Sequence, residues 1–333
     1  MKIVILDDYQ DAVRALDCIA LLNQFELKVH TNSVRGLGQL AVRLQPYDVL
    51  VLIRERTALP RALLARLPNL KLIAQVGKAG AHLDAAAATE RGIAIAESGS
   101  EPRATAELTW ALILAAQRKL APYARNLKDG MWQTASTVPQ FNGLGATVHG
   151  KTLGIWGYGK IGALVAGYGR AFGMDVLVWG GESSRARAAA DGYRAADSRV
   201  QLFEQADVLS LHLRLAESTT GIVGSEDLAR MRPHALLVNT ARAQLIAPGA
   251  LEAALRAGRP GMAALDVFEQ EPLPADDVLL KMPHVLATPH LGYVTRDSYE
   301  ALFAEVFANI VAFAEGRPRN IANPAVLQAL PPV

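Results

Sequence analysis

Apolar residues along this chain come in short runs separated by stretches of mixed, helix-like periodicity. Residues 3–6, 26–30, 49–53, 70–76 and 93–96 read as strands. Between them the spacing predicts helices over 16–22 and 59–67, the second ended by Pro68. A second series follows, with strands over 153–156, 175–179, 206–213, 236–239, 262–267 and 285–288, and helices over 249–256 and 298–314. Runs this continuously apolar, alternating with helical segments, predict parallel sheets built from βαβ units and covered on both faces. Residues 104–120 are apolar at most positions and predict a helix buried between two bodies. The stretch 128–150 carries Met131, Trp132, Phe141 and Leu144 without periodicity and reads as an arm that packs on a neighbour.

The second series is organised around residues 151–173, KTLGIWGYGKIGALVAGYGRAFG. An apolar strand runs into GxGxxG and then a helix rich in small residues, which is the context a dinucleotide-binding motif requires. Gly157 suits the tight turn, Gly159 the approach of a pyrophosphate, and Gly162 close packing of helix on strand. The helix N-terminus adds free N–H groups and a positive dipole end. Gly157, Tyr158, Gly159, Lys160, Ile161 and Gly162 are therefore cofactor-binding candidates. Residues 145–152, GATVHGKT, formally match a phosphate loop. They precede a strand instead of following one, so that match is set aside.

Three polar residues stand just after apolar runs: Arg242 after LLVNTA, Glu271 in LDVFEQEP and His290 in VLATPHLG. Strand ends on one side of a parallel sheet open on one crevice, which lets distant residues meet. Arginine binds a carboxylate in a bidentate fork, histidine exchanges a proton near neutrality, and a neighbouring carboxylate stabilises the imidazolium. His212 ends ADVLSLHL and could line the same crevice, while His284 at a strand start reads as solvated. No histidine pair has the helix spacing of a zinc site, and one cysteine excludes thiolate clusters, so no metal is expected.

A net charge of +2 gives no basic stripe for nucleic acid or an anionic membrane, and no apolar stretch is long enough to span a bilayer. With Cys18 as the single cysteine no internal disulfide can form, which fits a reducing, cytoplasmic compartment.

Taken together, QVGKAGAHLD, ATAELTWALIL, KTLGIWGYGKIG, LLVNTARA, AALDVFEQEPL and ATPHLGYVT resemble the D-isomer-specific 2-hydroxyacid dehydrogenases over nearly the whole chain. The resemblance implies an NAD- or NADP-dependent oxidoreductase acting on the CH–OH group of a small 2-hydroxy acid, of phosphoglycerate, glycerate or glyoxylate type. Arg242, Glu271 and His290 match the family's catalytic residues. Arg242 and the backbone of Val76, Gly77 and Lys78 match its substrate carboxylate site; Asp266 matches the aspartate facing the nicotinamide carboxamide, with Thr240 and Ala241 beside it and Gly292 on the nicotinamide side. The implied fold is α/β, two Rossmann-like doubly wound parallel-sheet domains. Residues 1–100 begin the substrate domain, 101–287 form the inserted dinucleotide-binding domain with a dimerisation helix and arm near its start, and 288–333 complete the substrate domain. A homodimer and a hinge between domains are implied as well.

Several positions depart from the family pattern. Gly180 falls where an acid would take the ribose hydroxyls, with Ser183 and Arg185 close by, so both NAD and NADP remain open; Glu182 could supply the acid instead. Lys78 replaces a usually apolar residue, Gln75 stands where phosphoglycerate-type members often carry arginine, and Tyr293 replaces a second glycine. The rival to an enzyme is a non-catalytic, nucleotide-sensing binding protein of the same fold, like the family's corepressors. Fold alone does not separate the two.

Overall fold

The structure is a computed structural model and describes residues 1–328. The chain divides into two compact units, Met1–Glu101 with Thr295–Val333, and Pro102–Val294. The last five residues of the expected C-terminal segment lie outside the described residues.

In the first unit β1 (Lys2–Ile5), β2 (Glu26–Val29), β3 (Val49–Ile53), β4 (Leu72–Val76) and β5 (Ala94–Glu97) form one parallel sheet in the order β2-β1-β3-β4-β5. Every residue of β3 and β4 is buried, Gln75 included, because helices cover both faces. One cover is the helix Arg296–Ala314, which packs on β4 and brings Phe303 and Phe307 to zero exposure. Its rings continue one another, with Tyr299–Phe303 centroids 5.3 Å and Phe303–Phe307 centroids 5.5 Å apart.

The second unit holds β6 (Thr152–Trp156), β7 (Asp175–Trp179), β8 (Arg194–Ala195), β9 (Val208–Leu211), β10 (Leu236–Asn239), β11 (Met262–Leu265) and β12 (Val285–Ala287). They pair in parallel in the order β12-β11-β10-β9-β6-β7-β8. Both orders reverse direction once, between β1 and β3 and between β6 and β9, which is the doubly wound α/β arrangement expected from the alternating pattern.

Some expectations change. The stretch 16–22 forms a 3-10 helix, Asp17–Leu22, and the helix over 59–67 shortens to Arg61–Leu64 after Pro60. The long helix runs Pro102–Gln117 and stops because Lys119 turns left-handed and the Gln117 carbonyl accepts the Ala146 amide. A further helix, Leu120–Lys128, begins there, and apolar periodicity alone did not separate the two. Residues 288–294, placed with the C-terminal segment from sequence, group with the second unit; the Leu291 and Gly292 amides both donate to Asp266. Asp7 and Asp8, delivered by β1, are buried and serve the fold. Asp7 accepts from Ser33 and Thr57, and Asp8 accepts the Val13 amide.

Asp207 joins three elements of the second sheet. It accepts the Thr152 amide at 2.9 Å, Arg232 Nη1 at 2.8 Å and His234 Nε2 at 3.0 Å. Burial pushes its carboxyl up, but these donors outweigh that and hold it below the ordinary aspartate value. A depressed folded pKa gives stability that is present above the unfolded pKa and lost as pH falls through the folded one. Asp207→Asn should therefore cost about 1.5–3 kcal/mol at pH 7. The gap to wild type should narrow below pH 3.8, the ordinary value. Denaturant unfolding at both pH values checks this, and a pH-independent gap would refute it.

Candidate active site

The glycine turn sits where β6 and β9 diverge. Gly157 has φ +100°, and a Cβ there would lie 2.7 Å from the His212 carbonyl oxygen, so the turn closes directly on the chain leaving β9. The helix Lys160–Ala171 starts at Gly159. A Cβ on Gly162 would come 2.2 Å from the Gly157 carbonyl oxygen, which is how tightly this helix presses on the turn. At Gly159, by contrast, a Cβ would meet nothing within 4 Å. A hollow of about 300 Å³ opens there, lined by Tyr158, Gly159, Lys160, Arg187 and Asp191. A closed turn, an open second glycine and a helix N-terminus facing a hollow fit a dinucleotide pyrophosphate.

One side chain of the next helix, Glu182–Ala190, and the residue just after that helix brace the turn. Arg187 Nη2 donates to the Tyr158 carbonyl at 2.7 Å, and the Tyr158 hydroxyl donates to Asp191 at 2.6 Å. Burial, then the Asp191 bond and charge, push the Tyr158 phenol well above its ordinary value, so it remains a donor throughout the working range. His212 lies 2.9 Å from the Ser210 hydroxyl, and burial pulls its imidazole down to about 4. It is therefore neutral at pH 7 and adds no charge beside the turn. The decoy phosphate loop, 145–152, leads into β6 and caps no helix.

The carboxyl ends of β10, β11 and β12 deliver Arg242, Glu271 and His290. His290 Nδ1 donates to Glu271 Oε2 at 2.6 Å. Glu271 Oε1 accepts the Phe268 amide at 2.9 Å, so its own loop holds the carboxylate. Burial raises the Glu271 carboxyl, but the His290 hydrogen bond and charge, the Phe268 amide and the Arg242 charge bring it below the ordinary glutamate value. Arg242 is thus near enough to stabilise the ionised glutamate, and its Nη1 donates to the Ala241 carbonyl at 2.6 Å.

His290 has φ +54°, a left-handed conformation costly for a side chain larger than glycine. Asp266, at the end of β11, enforces it. Oδ1 accepts the Thr288 hydroxyl at 2.7 Å and the Leu291 amide at 2.7 Å, while Oδ2 accepts the Gly292 amide at 2.8 Å. Burial raises the Asp266 carboxyl against the pull of these donors and of His290. Sequence reading assigned Asp266 only toward the nicotinamide; its grip on the 288–292 loop had no sequence signal, because Thr288 and the two amides follow from the strand register. Gly292 in turn offers its carbonyl to Thr105 at 2.9 Å, and Thr240 meets Thr109 at 2.7 Å, so the helix Pro102–Gln117 underlies the site. Tyr293 is buried and packs edge-on against His290 with centroids 5.7 Å apart. His284, read as solvated, is instead packed under Phe141, with ring centroids 5.4 Å apart.

Val76, Gly77 and Lys78 belong to the first unit, in the loop after β4. The Gly77 amide donates to Ser98 at 2.7 Å, and Lys78 Nζ pairs with Glu97 Oε2 at 2.8 Å. Glu97 Oε1 also accepts the Ala79 amide, so this carboxylate clasps the loop at two points. Gln75 is fully buried, bonding through its amide to the Arg54 and Val76 carbonyls and to His82. No helix among the described residues is long and apolar enough to cross a membrane, and none of their acidic, histidine and cysteine side chains cluster as a metal site.

Such a fold and site define a nicotinamide-dinucleotide oxidoreductase acting on CH–OH donors. Over residues 110–292 the chain matches the D-isomer specific 2-hydroxyacid dehydrogenase, NAD binding domain, and it belongs to that family. It is similar to a crystal structure described as a D-3-phosphoglycerate dehydrogenase oxidoreductase from Ralstonia solanacearum, at 52% identity and TM-score 0.95 over 98% of both chains. The glyoxylate reductase of Korarchaeum cryptofilum is 36% identical over 277 residues, 80% of each chain. The D-3-phosphoglycerate dehydrogenase of Methanocaldococcus jannaschii is 33% identical over 97% of this chain, which spans 59% of that protein's length.

Gly162→Ala tests the closeness of the turn. It should lower stability by about 1–3 kcal/mol through overpacking, and weaken dinucleotide binding because the Gly157 carbonyl must move. Thermal unfolding and a fluorescence titration with NADH and NADPH check it; unchanged values in both would refute the role given to Gly162.

Proposed function

We propose that the chain reduces a small 2-oxo acid to the D-2-hydroxy acid, reversibly, with Arg242, Glu271 and His290 as its catalytic residues. The observation that carries this reading is the His290 Nδ1 to Glu271 Oε2 bond at 2.6 Å, with Arg242 close enough to bias the same carboxylate. A bound nicotinamide dinucleotide, held at the turn by Gly157, Tyr158, Gly159, Lys160, Ile161 and Gly162, supplies or accepts the hydride. Arg242 binds the substrate carboxylate as a fixed cation that cannot deprotonate. Because Nδ1 faces Glu271, Nε2 is the nitrogen that donates a proton to the carbonyl oxygen, or takes one from the hydroxyl in the reverse direction. Glu271 orients the ring and compensates the imidazolium charge, and Asp266 holds the loop on which the ring stands. Val76, Gly77 and Lys78 form the substrate loop of the first unit. The Glu97 pair gives Lys78 a part in shaping that loop. Thr240, Ala241, Asp266 and Gly292 are the proposed nicotinamide-side residues. Relatives named as enzymes support catalysis over a purely nucleotide-sensing role.

The working form is proposed to be a cytoplasmic homodimer without nucleic-acid partners. The stretch after Gln117 exposes Leu120 at 53%, Leu127 at 54%, Trp132 at 77% and Leu144 at 94%, a concentration of apolar side chains that suits a second copy of the chain. Light scattering after size exclusion should give twice the 35.6 kDa chain mass. Leu144→Asp with Trp132→Asp should move the equilibrium toward monomer, and a wild-type monomer at micromolar concentration would rule the dimer out.

Oxidation of NADH and NADPH against glyoxylate, hydroxypyruvate, pyruvate, phenylpyruvate, 2-oxoglutarate and 3-phosphohydroxypyruvate tests the activity and ranks the acids. His290→Ala should reduce turnover by about 10²- to 10⁴-fold with dinucleotide binding retained. Glu271→Gln removes the carboxylate that orients the ring, so kcat for reduction should fall by at least about tenfold with dinucleotide binding retained. Full turnover in His290→Ala would displace it as the proton donor.

A further inference from the structure

The end of β7 decides which dinucleotide this turn accepts. In a Rossmann unit that strand end faces the adenosine ribose, and a carboxylate there binds the ribose hydroxyls and repels a 2′-phosphate. Here the position is Gly180, whose absent Cβ would lie 4.0 Å from the Gly157 Cα, so it faces the glycine turn directly. What occupies the neighbouring space is a serine: the same Cβ would meet Ser184 Cβ at 3.1 Å and its hydroxyl oxygen at 3.5 Å. A hydroxyl donor thus stands where the acid would project.

Two guanidinium groups accompany it. Arg185 lies over the Trp179 ring at 4.9 Å from the centroid, and its Nε meets no acceptor among the described residues. The ring contact holds this cation at the strand end, where its terminal nitrogens keep the fork geometry that suits phosphate. Arg187 lies against the turn through the Tyr158 carbonyl. The acids nearby are Asp191, engaged by the Tyr158 hydroxyl, and Glu182, exposed in the first turn of the helix Glu182–Ala190.

We propose that the site prefers NADP(H) to NAD(H), with the Ser184 hydroxyl and the Arg185 guanidinium receiving the 2′-phosphate and Ser183 beside them. The proposal rests on the dehydrogenase reading above and deepens it by choosing the cofactor. Arg185 acts as a binding residue held in place by Trp179, and Gly180 matters for the carboxylate it lacks.

The test is binding, independent of turnover. Calorimetric titration of the purified protein with NADPH, NADH, 2′,5′-ADP and 5′-AMP should give at least tenfold tighter binding for each 2′-phosphorylated member of its pair. Arg185→Ala should weaken NADPH at least tenfold and NADH less than threefold. Gly180→Asp should reverse the preference, since the new carboxylate repels the phosphate. Equal or tighter binding of NADH by the wild type would overturn the cofactor choice and leave the dehydrogenase reading standing. Equal weakening of both dinucleotides by Arg185→Ala would overturn the phosphate assignment. Binding of neither dinucleotide would overturn the cofactor reading together with this proposal.

Discussion

Parallel pairing sends every connection that leaves a strand's carboxyl end to the same edge of the sheet. In the second unit that single constraint brings together the Gly157 turn, His212, Arg242, Asp266 and the His290 loop, from strands scattered between Thr152 and Ala287. None of these residues is near another in the chain, yet ladder register alone sets their spacing along the edge. The inner strands β9 and β10 are buried at every residue, so a slip in register would expose core residues and is strongly opposed.

On that edge, polar groups are arranged so that each holds the next. Asp266 fixes a loop in which His290 adopts a left-handed backbone; His290 meets Glu271; Glu271 feels Arg242. A buried carboxylate is costly unless fully bonded, and Asp266 meets that condition with three donors from one short loop. The strain at His290 persists because that loop has no freedom to relieve it. The dinucleotide side follows the same logic with backbone in place of side chains: Gly157 and Gly162 permit contacts that any Cβ would forbid, while Arg187 and Tyr158 tie the turn to the next helix.

Much of this was legible in the chain. Alternating apolar runs determined two parallel sheets, because a strand buried on both faces has to be nearly continuous in apolar residues. GxGxxG between a strand and a helix determined the nucleotide turn, because its glycines answer steric needs that are local. Arg242, Glu271 and His290 stood out as polar residues at strand ends, and family motifs in their order marked the chemistry. Helix ends were less legible. The break at Lys119 depends on Ala146 reaching back to the Gln117 carbonyl, a contact between residues far apart in sequence.

Tertiary structure alone decided how the polar residues are paired. Asp7 and Asp8 follow the first apolar run, and nothing local in the chain assigns them the partners they take within the fold, Ser33, Thr57 and Val13. Lys78 stands out in the sequence as a departure from the family pattern, and it is held by Glu97, its neighbour only through the pairing of β4 with β5. Asp266 read as a cofactor contact and proved to carry the His290 loop. The physical reason is common to all three. Burial and periodicity are written locally, in the order of apolar and polar residues, whereas a hydrogen-bond partner is chosen by which strand lies beside which, and that is settled only when the sheet has formed.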